Sequence, residues 1–338
     1  GIKAGYAAGM KVIHIPDTIE INDDIRRLTS VVCHSLSDVP DIIDTWNEGK
    51  VADVEGYYEN AKINRVYVDR VHVKKAFAEY TAAYNADDPK IKLKIDHTYR
   101  VAALCERIAK AAGMCVYDVE LAWLSGMLHD VGRFEQIKRY NTFSDADSVD
   151  HAKFGADLLF KDGLISTFLN GMVKCTGYKP GALENRYSSD GVFLYDRLNK
   201  SDMEMLELAI RCHNMYRIPQ GLNRREQAFC NVLRDADKVD IFKVNIDTPL
   251  EEIYNTTTEE LMKSDITDEV LEAFDEEHCI LKAIRRTPAD TVIGHVSLAY
   301  ELVYDESVRI TVEQGYLAKL MHFHSDNEET NRKMAMVR

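Results

Sequence analysis

From about residue 62 onward, apolar residues recur at the three- and four-residue steps of a helix. Val101, Leu104 and Ile108 follow His97 at steps of four, three and four, which predicts a strong amphipathic helix over 97–112. Residues 116–130 are mostly apolar, which predicts a central helix. Ile63 to Tyr84 predicts one long amphipathic helix. Further helices are expected at 150–161, 163–175, 202–214, 225–243, 258–265, 268–284 and 290–304. Strand-like alternation is scarce in this region, and no internal repeat is visible.

The first fifty residues differ in texture. Gly1 to Gly9 is a small-residue stretch that predicts a helix stopped at a glycine. Lys11 to Ile15 then reads as a short buried strand ended by Pro16. Glu20 to Ser30 is a mostly polar connection, and Val31-Val32-Cys33 with Leu36 suits a second short strand. Val39, Ile42, Ile43 and Trp46 are spaced for a helix. Residues 51–61 read as a linker between an α/β segment at 1–50 and a helical unit at 62–338. The chain opens at Gly1 inside an expected helix, which suggests that the true N-terminus lies further upstream.

Composition narrows the function. At 46% hydrophobic and 29% charged residues, the 338-residue chain has the make-up of a soluble globular protein. No apolar run is long enough for a transmembrane helix, and no signal peptide is visible. The net charge of −14 argues against a nucleic-acid polymer as partner, because backbone phosphates are held by Lys and Arg. It leaves room for a small phosphorylated metabolite, since a metal or a local cationic site overrides the global sign. Seven scattered cysteines without a C-x-x-C pair fit a reducing cytoplasm better than a disulfide scaffold or a zinc knuckle.

The candidate chemistry lies in His97, His129-Asp130, His151, His213 and Asp237. Most share a helical face with apolar neighbours, as Asp237 does with Phe229, Leu233 and Ile241. A carboxylate on an apolar stripe is costly to bury unless it is paired or bound to a cation. Mixed imidazole and carboxylate donors suit Zn, Mn or Fe, with Mg favoured as carboxylates and water dominate. A lone histidine on such a face is ordinarily a core residue, and no H-E-x-x-H motif tightens the assignment. Spacing alone therefore leaves both readings open.

The order of these residues resembles a family. His97 in Ile95-Asp96-His97-Thr98-Tyr99-Arg100, then Leu128-His129-Asp130-Val131-Gly132-Arg133, Asp150-His151-Ala152, Arg211-Cys212-His213-Asn214 and Arg234-Asp235-Ala236-Asp237-Lys238 are similar to the HD superfamily of metal-dependent phosphohydrolases, over roughly 62–245. The resemblance implies a mainly all-α helical bundle. It implies one or two divalent ions, with His97, His129, Asp130 and Asp237 on the first, and Asp130 bridging to a second held by His151 and His213. It further implies hydrolysis of a phosphoester or phosphoanhydride, in a nucleotide or similar small metabolite, by metal-activated water. Asp130, Arg133 and Lys153 are the residues expected to act on the substrate, the two cations by neutralising phosphate charge. Arg139 and Arg211 are weaker candidates. Asp150 and Asp235 are expected beside the ligands or in solvent, and Lys238 and Asp240 in structural roles. His72, His278 and His295 are expected to be structural, and His322 and His324 to lie in a solvated loop. The G-Y-P signature of cyclic dinucleotide phosphodiesterases is absent. A non-catalytic, ligand-sensing module with the same ligands is the alternative.

Gly1 to Ile13, with Ser35-Leu36-Ser37-Asp38-Val39, has a second resemblance. It is similar to the C-terminal end of haloacid dehalogenase-like hydrolases, which implies a short α/β remnant of a Rossmann-like domain. That family's D-x-D nucleophile, Ser/Thr, Lys and acidic motif would all precede Gly1, so this segment is expected to be non-catalytic. A longer parent would then join a sugar-phosphate phosphatase to the helical unit.

Overall fold

The computed structural model describes residues 2–15, 28–32, 39, 43, 68–169, 198, 200–254 and 256–337. The linker expected at 51–61, most of the helix expected over 39–46, the start of the one at 63–84, residues 170–175, and Ser35 to Asp38 lie outside these residues.

Near the N-terminus, α1 (Ile2–Ala7) precedes β1 (Ile13–His14). β1 pairs in parallel with β2 (Val31–Val32), with Ile13 opposite Val31 and His14 opposite Val32. Ser30 clamps the entry to this pair, its N–H donating to the Val12 carbonyl at 2.7 Å and its Oγ accepting from the Val12 N–H at 3.0 Å.

The rest of the described chain is helical. α2 (Arg70–Thr81) is capped by Asp69, whose carboxylate accepts from the His72 N–H. α3 (Pro89–Ala111) starts well before its predicted limit, because Asp88 caps it and Pro89 fits the first helical turn. α4 (Val116–Leu128) ends at the His129-Asp130 corner, from which α5 (Val131–Tyr140) departs. α6 (His151–Ala156) continues into one widened π turn, Asp157–Lys161, before α7 (Ile165–Leu169). α8 (Lys200–Cys212) and α9 (Arg224–Asp247) follow. α9 is fixed at its start by a reciprocal capping box between Asn223 and Glu226. Beyond it come α10 (Leu250–Tyr254), α11 (Thr258–Lys263), α12 (Asp268–Asp275), α13 (Pro288–Val296), α14 (Asp305–Gln314), α15 (Tyr316–Met321) and α16 (Glu328–Val337).

Two predicted helices are shorter than expected. The stretch 268–284 breaks after Asp275, where Glu277 takes a left-handed φ of 55°, and resumes only as a 3-10 turn at Lys282–Ile284. The stretch 290–304 changes to a 3-10 turn at Ser297–Glu301. α5, α10, α14, α15 and α16 have no counterpart among the predicted helices.

The buried side chains form two cores. One gathers Phe77, Val101, Ile108, Leu121, Leu124, Phe134, Phe168 and Leu233 from α2 to α9. The other gathers Phe242, Ile266, Val270, Ile293 and Met334 from the C-terminal helices. α9 serves both, because its 24 residues span roughly 36 Å at 1.5 Å per residue. No helix among the described residues is long and apolar enough to cross a membrane.

Candidate metal centre

The helices aim four imidazoles and two carboxylates at one buried point. His97 lies mid-α3, and His129 and Asp130 form the α4–α5 corner. His151 opens α6, His213 follows the end of α8, and Asp237 lies mid-α9. The His97 and His129 Nε2 atoms are 3.3 Å apart, and Asp237 Oδ1 lies 3.1 Å from the former and 3.9 Å from the latter. Asp130 Oδ2 lies 3.6 Å from His97 Nε2 and 3.5 Å from His129 Nε2. Its other oxygen faces the second pair, 3.5 Å from His151 Nε2 and 3.8 Å from His213 Nε2. Those two Nε2 atoms are 3.1 Å apart.

The opposite edge of each ring fixes this orientation. His129 Nδ1 lies 2.8 Å from the Gly126 carbonyl, and His213 Nδ1 lies 2.7 Å from that of Ile210. His97 Nδ1 meets Asp240 Oδ2 at 2.6 Å, and His151 Nδ1 meets Asp145 Oδ2 at 2.7 Å. Every one of these partners is an acceptor, so each Nδ1 carries the proton; the Nε2 atoms of His129, His151 and His213 then turn a lone pair inward, while that of His97 also meets the Asp237 carboxylate. Two lone pairs facing across about 3 Å repel and leave buried acceptors unsatisfied, at roughly 1–3 kcal/mol each. A cation between them removes that penalty. The donor set therefore fits a divalent metal, and two groups, His97-His129-Asp237 and His129-Asp130-His213, have ligand atoms within 4.8 Å of one another. A third group, Asp145-Asp150-His151, is as closely gathered, and its Asp145 already bonds the His151 Nδ1.

The electrostatics keep most of these donors ready. Burial pushes His129 down to about 4 against the opposing pull of Asp130, and pushes His151 down to about 3 with help from Arg133. Both rings are neutral near pH 7. His97 moves the other way. Burial and Lys94 lower its pKa, but hydrogen bonds to Asp237 and Asp240 outweigh them. Burial opposes ionisation of Asp130, yet Lys94, His129, His151 and Arg133 hold its carboxyl well below the usual range. Asp237 is likewise lowered against burial, chiefly by His97.

Three supporting residues were not singled out as site residues from the sequence. Lys94 meets Asp130 Oδ2 at 2.7 Å. It sits three residues before His97, and nothing in its spacing separates it from other surface lysines of α3. Asp145 gathers His151, Arg133, Gln136 and Asn214. It comes from an acidic loop in which Asp145, Asp147 and Asp150 look alike by pattern. Asp240, expected in a structural role, lies on the same α9 face as Asp237 and holds the far side of the His97 ring. It is itself gripped by two nitrogens of Arg100, at 2.6 and 2.9 Å.

The remaining candidates are placed as follows. Arg133 bonds Gln136, the Phe143 carbonyl and Asp145, and its buried Nε lies 3.8 Å from Asp130 Oδ1. Lys153 is largely exposed and pairs with Asp150 at 2.9 Å. Arg139 pairs with Glu135, and Arg211 with Asp157 and Glu207. Asp235 is buried and accepts from the Val303 and Tyr304 N–H groups, while Lys238 reaches the Glu301 carbonyl. His72 meets the Thr167 carbonyl, His278 pairs with Glu276, and His295 packs on Tyr254. His322 and His324 are exposed.

The fold and site together define a helical protein whose centre can hold divalent metal. Residues 95–245 match the family model of the HD domain, a match that includes all six candidate ligands and does not extend to residues 1–50. The match supports the HD superfamily for this segment and suggests a metal-dependent hydrolase. No curated protein and no solved structure matches the chain.

Proposed function

We propose that this chain is a metal-dependent phosphohydrolase that cleaves a phosphoester or phosphoanhydride in a small phosphorylated metabolite, with a nucleotide as the leading substrate class. The observation that carries the reading is the inward convergence of four imidazole Nε2 atoms on the two oxygens of Asp130. His97, His129, Asp130 and Asp237 would hold one ion, and Asp130, His151 and His213 a second. A bound divalent ion lowers the pKa of water and polarises phosphoryl oxygens. Asp240 and Asp145 orient His97 and His151 from behind, and Lys94 and Arg133 keep Asp130 ionised. Arg133, 3.8 Å from Asp130, would meet negative charge on a phosphoryl group.

The test is metal analysis of the purified protein, followed by a screen of nucleotides and phosphomonoesters with added Mn. Bound metal and turnover are expected, and both should be lost in His129→Ala and Asp130→Ala. Full metal and full activity in those variants would refute the site. Bound metal with no turnover of any substrate would favour a ligand-sensing role instead.

A further inference from the structure

The turn that follows His213 is gripped by one buried side chain. Arg234, only 6% exposed, donates from Nη1 to the Met215 carbonyl and from Nη2 to the Tyr216 carbonyl at 3.3 Å. Met215 and Tyr216 come two and three residues after His213. Arg234 itself stands three residues before Asp237 on α9. One guanidinium therefore joins the turn that carries a ligand of one ion to the helix that carries a ligand of the other. The bond from His213 to the Ile210 carbonyl fixes the ring at the end of α8, but it does not set how far that end stands from α9.

The same stretch of α9 is fastened to the C-terminal lobe, the helices that follow it. Arg234 Nη2 lies 3.6 Å from a Glu301 carboxylate oxygen, and Lys238 Nζ lies 3.4 Å from the Glu301 carbonyl. Asp235 accepts from the Val303 and Tyr304 N–H groups. The lobe also meets the turn directly, with the Tyr216 hydroxyl 3.3 Å from His278 Nδ1. His278 and Glu301 both lie beyond residues 95–245, the segment that matches the HD family. A buried guanidinium is costly unless its charge and its donors are met. Here the backbone of the turn meets the donors, and a carboxylate of the lobe faces the charge.

We propose that Arg234 is a positioning residue of the metal centre: held by Glu301 of the C-terminal lobe, it sets His213 against Asp237 and so fixes the spacing of the two ion subsites. This rests on the two-ion part of the phosphohydrolase reading and extends it, because a lobe outside the family segment completes the centre.

The experiment is titration of the metal-free full chain with Mn, counting bound ions and recording the electron paramagnetic resonance spectrum. Wild type, Arg234→Met and Met334→Ala are compared. Met334 is buried in the second core on α16, so its truncation lowers stability without removing a bond to the turn. Wild type should bind two ions with a spin-coupled spectrum. Arg234→Met should keep one ion at wild-type affinity and bind the other about tenfold or more weakly, the scale of a lost outer partner at a metal-binding imidazole. Its spectrum at limiting Mn should be that of a single uncoupled ion. Met334→Ala should bind both ions as wild type does. Wild-type affinity for both ions in Arg234→Met, or the same selective loss in Met334→Ala, overturns the positioning role. If Arg234→Met does not fold, Glu301→Gln carries the test with the same two outcomes. Wild type that binds fewer than two ions also overturns the inference. Failure of the phosphohydrolase reading shows separately, as wild type that holds two ions and turns over no substrate.

Discussion

Replacing Gly132 with alanine tests how the two halves of the centre are held together. Gly132 is the second residue of α5, two residues after Asp130, where α5 meets α6. A Cβ there would fall 2.4 Å from the His151 carbonyl oxygen, 2.7 Å from the Gly155 nitrogen and 2.9 Å from the Gly155 Cα. All three are backbone atoms, so no side chain can turn aside. Ordinary contact begins near 3.4 Å, so α6 must retreat by about 1 Å. Overpacking of this kind costs about 1–3 kcal/mol, or roughly 2–12 °C in melting temperature for a domain of about 150–250 residues. The retreat carries His151 away from Asp130 and His213, so metal should be lost from that side first. Thermal unfolding and metal stoichiometry of Gly132→Ala against wild type measure both effects. Unchanged stability with full metal content would refute the close approach and the role assigned to it.

Three further outcomes follow from the same geometry. Asp240→Asn removes the carboxylate behind His97 and the charge that Arg100 grips, so metal affinity should fall by roughly 10–100-fold in a competition titration with a chelator, most of the fold remaining. Removing metal with a chelator should lower the melting temperature, and adding back a divalent ion should restore it in proportion to the logarithm of its concentration; an unchanged melting temperature would argue against an intrinsic site. Acidifying the metal-free protein from pH 7 to 5 should destabilise it. His129 at about 4 and His151 at about 3 lie below the unfolded value near 6.5, so the unfolded chain takes up more protons in that window, costing on the order of 2 kcal/mol for His129 alone. His97, raised in the fold, offsets part of this, and Asp145 and Asp237, both lowered, lose their contribution only below about pH 4. A melting temperature that rises between pH 7 and 5 would contradict the assignment.

Much of the architecture was legible in one dimension. The steps linking His97, Val101, Leu104 and Ile108 placed α3, and the mostly apolar stretch before His129 placed α4 at the centre, because a helix repeats its faces every 3.6 residues. The break at Glu277 was not legible: no glycine or proline marks it, and a glutamate seldom takes the left-handed φ it adopts here. α5 was missed because its amphipathic pattern follows directly on α4, with only the His129-Asp130 corner between them.

By itself the sequence determined a helical protein and named six donors in their chain order. The tertiary structure decided which atoms of those donors meet. His97 and Asp240 are separated by 143 residues, and no periodicity relates positions on helices that far apart. Their contact depends on how α3 packs against α9. The close backbone approach at Gly132 and Gly155, the use of both Asp130 oxygens, and the placement of Lys94 and Asp145 all arise the same way. Composition and period fix which face of each helix turns inward, but only the packed core brings those faces to one point and sets which ring edge points into the centre.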